Sequence, residues 1–279
     1  GYLDALLKES GCEVITLHNT VDPLFGGLLP EPREEHLGEL KEEVIKSKAN
    51  LGLGTDGDSD RLGAIDEKGA FYLPNKIASM LLRHLVKNKK MKGSVVRTLS
   101  TTHLLDHLAI KYGLKTIETK VGYKWIAKEM LEGDVLIGAE ESGGISIKNH
   151  VPDKDAVLAG MLLAEMMAYE GKSLSEIYED TVKDSGWSCV HGRFDMHTND
   201  IQKDYLLSNF EKSKYGNLNV IGRTTLEGVK ILLEDGSWFM ARASGTEPMS
   251  RVYFETTSDK VLKNVMDDVK VTVDEAMRQ

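Results

Sequence analysis

The chain has 279 residues, of which 41% are apolar and 28% charged, and a net charge of -9. That length supports two or three domains with cores of their own and exceeds one ordinary core, while the composition excludes a disordered chain. An excess of carboxylates argues against binding nucleic acid or anionic membranes by bulk charge, so any anionic ligand needs local cations.

The opening residues, "GYLDALLKESG", read as an amphipathic helix without the basic start of a signal peptide, and the chain is expected to begin inside a fold. "CEVITLHN" is expected as a strand, followed by a Pro- and Gly-rich loop and a helix over 34–49, where Leu37, Leu40, Val44 and Ile45 fall at helical spacing. "NLGLG" is a short buried strand running into an aspartate loop, and "RLGAIDEKGAFY" a strand with a turn at Lys68-Gly69. Strands and helices of about 10–15 residues then alternate to residue 183, which predicts a mainly parallel α/β sheet. From about Asp184 short strands dominate, including a hairpin at Asp235-Gly236, and a helix from about Lys260 closes an α+β region. The greasiest run, residues 157–169, contains Glu165 and is too short to cross a bilayer, so no membrane partner is expected. Cys12 and Cys189 form no disulfide framework or CxxC metal pattern, which favours a cytoplasmic setting.

"GTDGDSDR" (54–61) sets Asp56, Asp58 and Asp60 at alternate positions in a tight loop. Three carboxylates turned to one point repel one another unless a divalent cation joins them, and hard oxygen ligands suit Mg²⁺, Ca²⁺ or Mn²⁺. The GxGxxG match at 52–57 is rejected as a dinucleotide loop, since Asp56 and Asp58 would repel a pyrophosphate. An EF-hand is a poor second, because its sixth position must be Gly and here is Arg61. Arg61 beside a metal makes sense if the metal's other neighbour is a phosphoryl group; balancing the aspartates is the plainer reading.

"RASGTEP" (242–248) offers Arg242 as a fork for phosphate, hydroxyls from Ser244 and Thr246, and Gly245 for close backbone approach, with Arg251 on the next strand; an ordinary turn is the alternative. In "GAEESGG" (138–144) Glu140 and Glu141 point to opposite faces and make a poor glycosidase pair. Glu140 and Ser142 share a face and suit the hydroxyls of a sugar. His103 and His107 lack the Glu of HExxH and read as a surface pair, and Lys124 in "KVGYKWI" faces either phosphate or solvent.

Together these loops resemble the α-D-phosphohexomutases, which include phosphoglucomutase, phosphomannomutase and phosphoglucosamine mutase. "DGDSDR" is similar to the family's DGDxDR metal loop, "AEESGG" to its GExSG sugar loop with Ala139 for Gly, and "RASGTEP" to its phosphate loop; "VVRTLSTT", "TKVGYKWI" and "HVPDKDA" follow in family order. The resemblance implies reversible phosphoryl transfer between C1 and C6 of a glucose or mannose phosphate, through a phosphoserine and a bisphosphorylated sugar. It implies Mg²⁺ on Asp56, Asp58 and Asp60, and Arg61 as a catalytic support for the phosphoserine. Gly122, Tyr123, Lys124, Glu140, Ser142 and Lys154 would line the substrate cleft, and Arg242, Ser244, Gly245, Thr246 and Arg251 would hold the non-reacting phosphate. It also implies two consecutive mixed or parallel α/β sandwich domains, 1–67 and 68–183, before a smaller α+β lobe, 184–279, like the TATA-binding-protein fold. No TASHNP catalytic-serine loop occurs in the sequence, so the family's N-terminal domain is expected to be a missing partner and this chain inactive alone. Gly144 stands where many glucose/mannose members carry His. A non-catalytic sugar-phosphate or Ca²⁺-binding protein is the rival.

Overall fold

Residues 1–244 and 248–279 are described by the computed structural model, and they divide into a unit from Gly1 to Trp187 and another from Ser188 to Gln279. The first unit runs α1 (Tyr2–Glu9), α2 (Gly38–Ser47), β1 (Leu51–Thr55), β2 (Leu62–Asp66), β3 (Phe71–Tyr72), α3 (Pro74–Lys87), β4 (Ser94–Thr98) and α4 (Leu104–Lys111). It continues with β5 (Thr116–Thr119), α5 (Tyr123–Glu132), β6 (Val135–Ala139), β7 (Ile145–Ile147), α6 (Ala156–Glu170) and α7 (Leu174–Ser185). The second holds β8 (Val190–His197), α8 (Asp200–Ser208), β9 (Lys214–Tyr215), β10 (Leu218–Thr224), β11 (Val229–Leu233), β12 (Trp238–Ala243), β13 (Met249–Thr256) and α9 (Asp259–Ala276).

Strands β1, β2 and β3 form an antiparallel meander. Pairing of Thr55 with Leu62 leaves only residues 56–61 to connect β1 to β2. A parallel crossover needs about a dozen residues or more, so a connection this short forces a hairpin. The mainly parallel sheet expected of the segment that follows is met in the order β5-β4-β6-β7, where β4 runs parallel to β5 and β6 and only β7 is antiparallel. Because these three strands share a direction, the segments after Thr98, Thr119 and Ala139 all leave from one end, where open α/β sheets take their ligands.

Residues 12–19 form no strand; among the described residues no strand pairs with this apolar stretch, and an unpaired strand has no ladder to satisfy its backbone. Helix α6 is apolar all round because it packs against α1, α3, β1 and β2. Asp155 caps its start by accepting from the Leu158 N–H, and α7 opens with a Ser173–Glu176 capping box. Arg83 of α3, buried, donates to Glu170 (2.6 Å) and Asp184 (2.8 Å) and so ties α3 to the ends of α6 and α7. His103 and His107 are not a surface pair: both are half-buried, and the His107 ring stacks on Trp187 at 4.7 Å.

The second unit is a six-stranded antiparallel sheet in the order β8-β13-β12-β11-β10-β9. Its core places Phe239, Ala241, Val252 and Phe254 with Leu206 of α8 and Val265 and Val269 of α9. The two-residue period then puts Trp238, Met240 and Arg242, with Arg251, Tyr253 and Glu255, on the opposite face. Strand β10 was not among the expected elements; it alternates half-buried and exposed residues at the rim of the sheet. Among the described residues no helix is long and apolar enough to cross a membrane.

Phe239 is fully buried and meets the rings of Phe210, Tyr215 and Phe254. Phe239→Ala is expected to cost about 3–5 kcal/mol, whereas Leu226→Ala, 56% exposed, should stay within about 0.5 kcal/mol. Urea unfolding of the two variants checks the difference.

Candidate active site

The hairpin between β1 and β2 brings Asp56, Asp58 and Asp60 together, with one oxygen of each within 4.8 Å of the others. Asp56 is buried, Asp60 half-buried and Asp58 exposed. The loop closes on Asp56: its Oδ1 accepts from the backbone N–H groups of Asp60 (2.9 Å) and Arg61 (3.0 Å), and its Oδ2 from Arg61 Nε (2.5 Å). Arg61 Nη1 also reaches Glu31 Oε1 at 3.2 Å, and the Lys154 ammonium pairs with Asp60. Glu31 was absent from the sequence reading; it is 30 positions from Arg61 and carries no local motif.

Burial works upward on the Asp56 carboxyl, but the Arg61 N–H, its guanidinium and Asp60 outweigh it, and Asp56 lies below the ordinary carboxylate range. Burial raises Asp60, the neighbouring Asp56 adds to this, and Lys154 opposes it. Asp60 Oδ1 is buried without a hydrogen-bond partner among the described residues. Three hard oxygen donors converging on one point, one of them orphaned, fit a divalent cation such as Mg²⁺. Two antiparallel strands flank the loop, not two helices, so this is not an EF-hand.

The segment after β6 meets this loop directly. Arg61 bridges Gly144, and the Leu62 N–H donates to the Gly143 carbonyl at 3.4 Å. Gly143 has a φ of +110°, and a Cβ on it would lie 3.3 Å from the Leu62 backbone. At Gly144 a Cβ would lie 2.4 Å from Cδ of Lys154, so on its present path to Asp60 the lysine stem crosses directly over the glycine.

Glu140 is buried; its Oε1 accepts from the Gly122 N–H at 3.1 Å, and Ser142 Oγ stands 3.5 Å from its Oε2. Burial and then the adjacent Glu141 charge push its carboxyl up to about 7, against the pull of the Gly122 N–H and Lys154. Glu141 points elsewhere and accepts from Ser100 Oγ at 2.7 Å. Tyr123 carries a buried hydroxyl with no hydrogen-bond partner among the described residues, and the Lys154 ammonium lies 5.8 Å from its ring centre. Burial, then Asp153, Glu140 and Asp60, raise that phenol, so it stays a neutral donor. An unmatched donor beside Glu140 and Lys154 suits a polyhydroxyl ligand. Lys124 is exposed, with its ammonium 5.2 Å from the Trp125 ring.

In the second unit the register sets Arg242 of β12 directly opposite Arg251 of β13. Like charges facing across a strand pair repel. Arg251 Nε lies 3.6 Å from Asp195 Oδ2, which also pairs with Arg193, whereas Arg242 Nε is buried without a hydrogen-bond partner among the described residues. Ser244 is buried, and its N–H donates to the Met249 carbonyl at 2.8 Å. Gly245 and Thr246 lie outside the described residues. Two opposed guanidiniums, one with an orphaned donor, are groups that an oxyanion site would use. Asp195 and Arg193 were missed because their place beside Arg251 depends on strand register alone.

Three family models cover the chain in order: Phosphoglucomutase/phosphomannomutase domain II over residues 1–69, domain III over 73–185 and the C-terminal domain over 202–271. A curated phosphoglucomutase/phosphomannomutase from Thermococcus kodakarensis is 31% identical over 276 residues, covering 99% of this chain and 58% of its own. A phosphoglucosamine/phosphogalactosamine mutase from Sulfurisphaera tokodaii is 30% identical, covering 96% and 57%. A crystal structure from Thermus thermophilus, provisionally a phosphomannomutase, superposes with a TM-score of 0.83 at 30% identity, covering 98% of this chain and 58% of that one. The chain belongs to the phosphoglucomutase/phosphomannomutase family, the α-D-phosphohexomutases, and spans less than two thirds of the length of these relatives.

Gly144→Ala is expected to push Lys154 off Asp60 and to cost about 1–3 kcal/mol; adding Lys154→Ala should recover most of that loss in urea unfolding. Glu140 holds its proton more tightly folded than its ordinary 4.5, so its contribution is intact below pH 4.5 and is lost as pH rises towards about 7. Glu140→Gln should therefore gain on the parent chain between pH 5 and 8, by on the order of 1–3 kcal/mol, measured as the pH dependence of the unfolding midpoint.

Proposed function

We propose that this chain supplies the metal, sugar and phosphate subsites of an enzyme that interconverts hexose 1-phosphates and hexose 6-phosphates. The observation that carries this reading is the junction of the acidic loop with the loop after β6, through Lys154–Asp60, Arg61–Gly144 and Leu62–Gly143. It sets a phosphoryl-type metal loop against hydroxyl-binding groups, as a transfer between phosphate and sugar requires.

Arg61 stands beside the aspartates, where its guanidinium can share the charge of a phosphoserine. Mg²⁺ on Asp56, Asp58 and Asp60 would, when bound, neutralise charge on the phosphoryl oxygens. Glu140 and Ser142 hold sugar hydroxyls, the Tyr123 hydroxyl donates to a third polar group of the ligand, and Lys154 adds a positive charge. Arg242, Ser244 and Arg251, with Gly245 and Thr246, hold the phosphate that is not reacting. The phosphoryl carrier is a serine on a partner domain outside these 279 residues. The segment 12–29 exposes Ile15, Val21, Leu24 and Leu29, an apolar surface suited to such a partner. Glucose and mannose phosphates are the proposed substrates; the names of the relatives also include aminosugar mutases, so glucosamine phosphate belongs in the test.

The decisive assay compares the 279-residue chain with a longer chain that carries an N-terminal serine domain, on glucose, mannose and glucosamine phosphates. The longer chain should turn over with a requirement for Mg²⁺, and Asp58→Asn should lower kcat by about 10²–10³-fold. The shorter chain should be inactive, and Arg242→Ala should weaken its retention of hexose phosphate. Turnover by the shorter chain would remove the need for an outside serine. A longer chain inert on all three sugars would overturn the mutase reading.

A further inference from the structure

We propose that Cys189, His191 and Glu255 form a second metal site in the sheet of the second unit, suited to Zn²⁺ and chemically distinct from the aspartate loop. His191 and Glu255 are register partners on β8 and β13, so their side chains project side by side from one face. Cys189, two residues before His191 at the entry to β8, falls on that same face. One ligand atom from each of the three lies within 4.8 Å of the others. Tetrahedral zinc, with bonds of about 2.0–2.3 Å, sets its ligand atoms roughly 3.3–3.7 Å apart, so the cluster closes with small side-chain rotations.

The surroundings fit a ligand set better than a simple ion pair. Glu255 is fully buried, where a carboxylate is costly unless compensated by charge. Trp238 Nε1 donates to Glu255 Oε1 at 3.2 Å, which orients the carboxylate and turns Oε2 towards His191. His191 Nε2 is buried and only 3.0 Å from that oxygen, yet it is off the line of a hydrogen bond. With its Nε2 unprotonated, His191 offers a lone pair beside that oxygen, and the two atoms can be neighbours on one ion. A sulfur, a nitrogen and an oxygen select a borderline-soft cation such as Zn²⁺ over Mg²⁺, the reverse of the all-oxygen aspartate loop. The cluster is also separate from the paired arginines: Glu255 and Arg251 are four residues apart on β13, about 13 Å along the strand. Three protein ligands leave a fourth position for water, and the bound ion would clamp the start of β8 to β13.

The test is a Co²⁺ titration of the full 279-residue chain after removal of metals, read by the thiolate-to-cobalt absorption band. Oxygen ligands of the aspartate loop give no such band, and the only other thiol is Cys12, which is exposed. The proposal expects the band to saturate at one equivalent, to vanish in Cys189→Ser, to persist in Cys12→Ser and Asp58→Asn, and to weaken at least tenfold in affinity in His191→Ala and Glu255→Gln. Zn²⁺ should displace Co²⁺ and raise the unfolding midpoint of the parent chain but not of Cys189→Ser. If Cys189→Ser does not fold, the His191→Ala titration decides the matter. No band, a band that survives Cys189→Ser, or one unaffected by both His191→Ala and Glu255→Gln, overturns the site.

Discussion

Three carboxylates within 4.8 Å of one another are a standing electrostatic cost, and much of the first unit is arranged around meeting it. Arg61 and two backbone N–H groups engage Asp56, and the Lys154 ammonium engages Asp60. Both cations come from segments with other duties. Arg61 begins the strand that pairs with β1 and bridges the loop after β6, and Lys154 immediately precedes the cap of α6. The repulsion that a metal loop needs in order to attract its ion is thus restrained by the contacts that hold the sheets and α6 in place.

The second unit poses the opposite problem. Register sets Arg242 against Arg251, and Arg251 has the Asp195 carboxylate nearby. Like charges are gathered in each unit, carboxylates in the first and guanidiniums in the second. The net charge of -9 hides this division, because it sums over both sites.

Local chemistry was legible in the sequence wherever a short stretch carried its own reason. Alternate aspartates with glycines in a tight loop foretell carboxylates turned to one point, and the structure brings an oxygen of each within 4.8 Å of the others. Helices α6 and α7 were legible through their length, α6 without a one-sided apolar stripe to mark it. What was hidden depends on partners distant in the chain. Residues 12–19 look like a strand by composition, but strand formation needs a neighbour to complete the ladder. The hairpin direction of β1 and β2 follows from the length of a loop that was read for its ligands. Glu31 joins Arg61 only through the path of an irregular segment.

Gly144 ties two positions that lie ten residues apart into one heritable unit. With no side chain there, Lys154 passes straight across to Asp60. A residue of any size at 144 must reroute the lysine, and a shorter residue at 154 leaves both a void and an unanswered aspartate. The room left at 144 and the neutralisation of Asp60 are therefore set together, by one lysine.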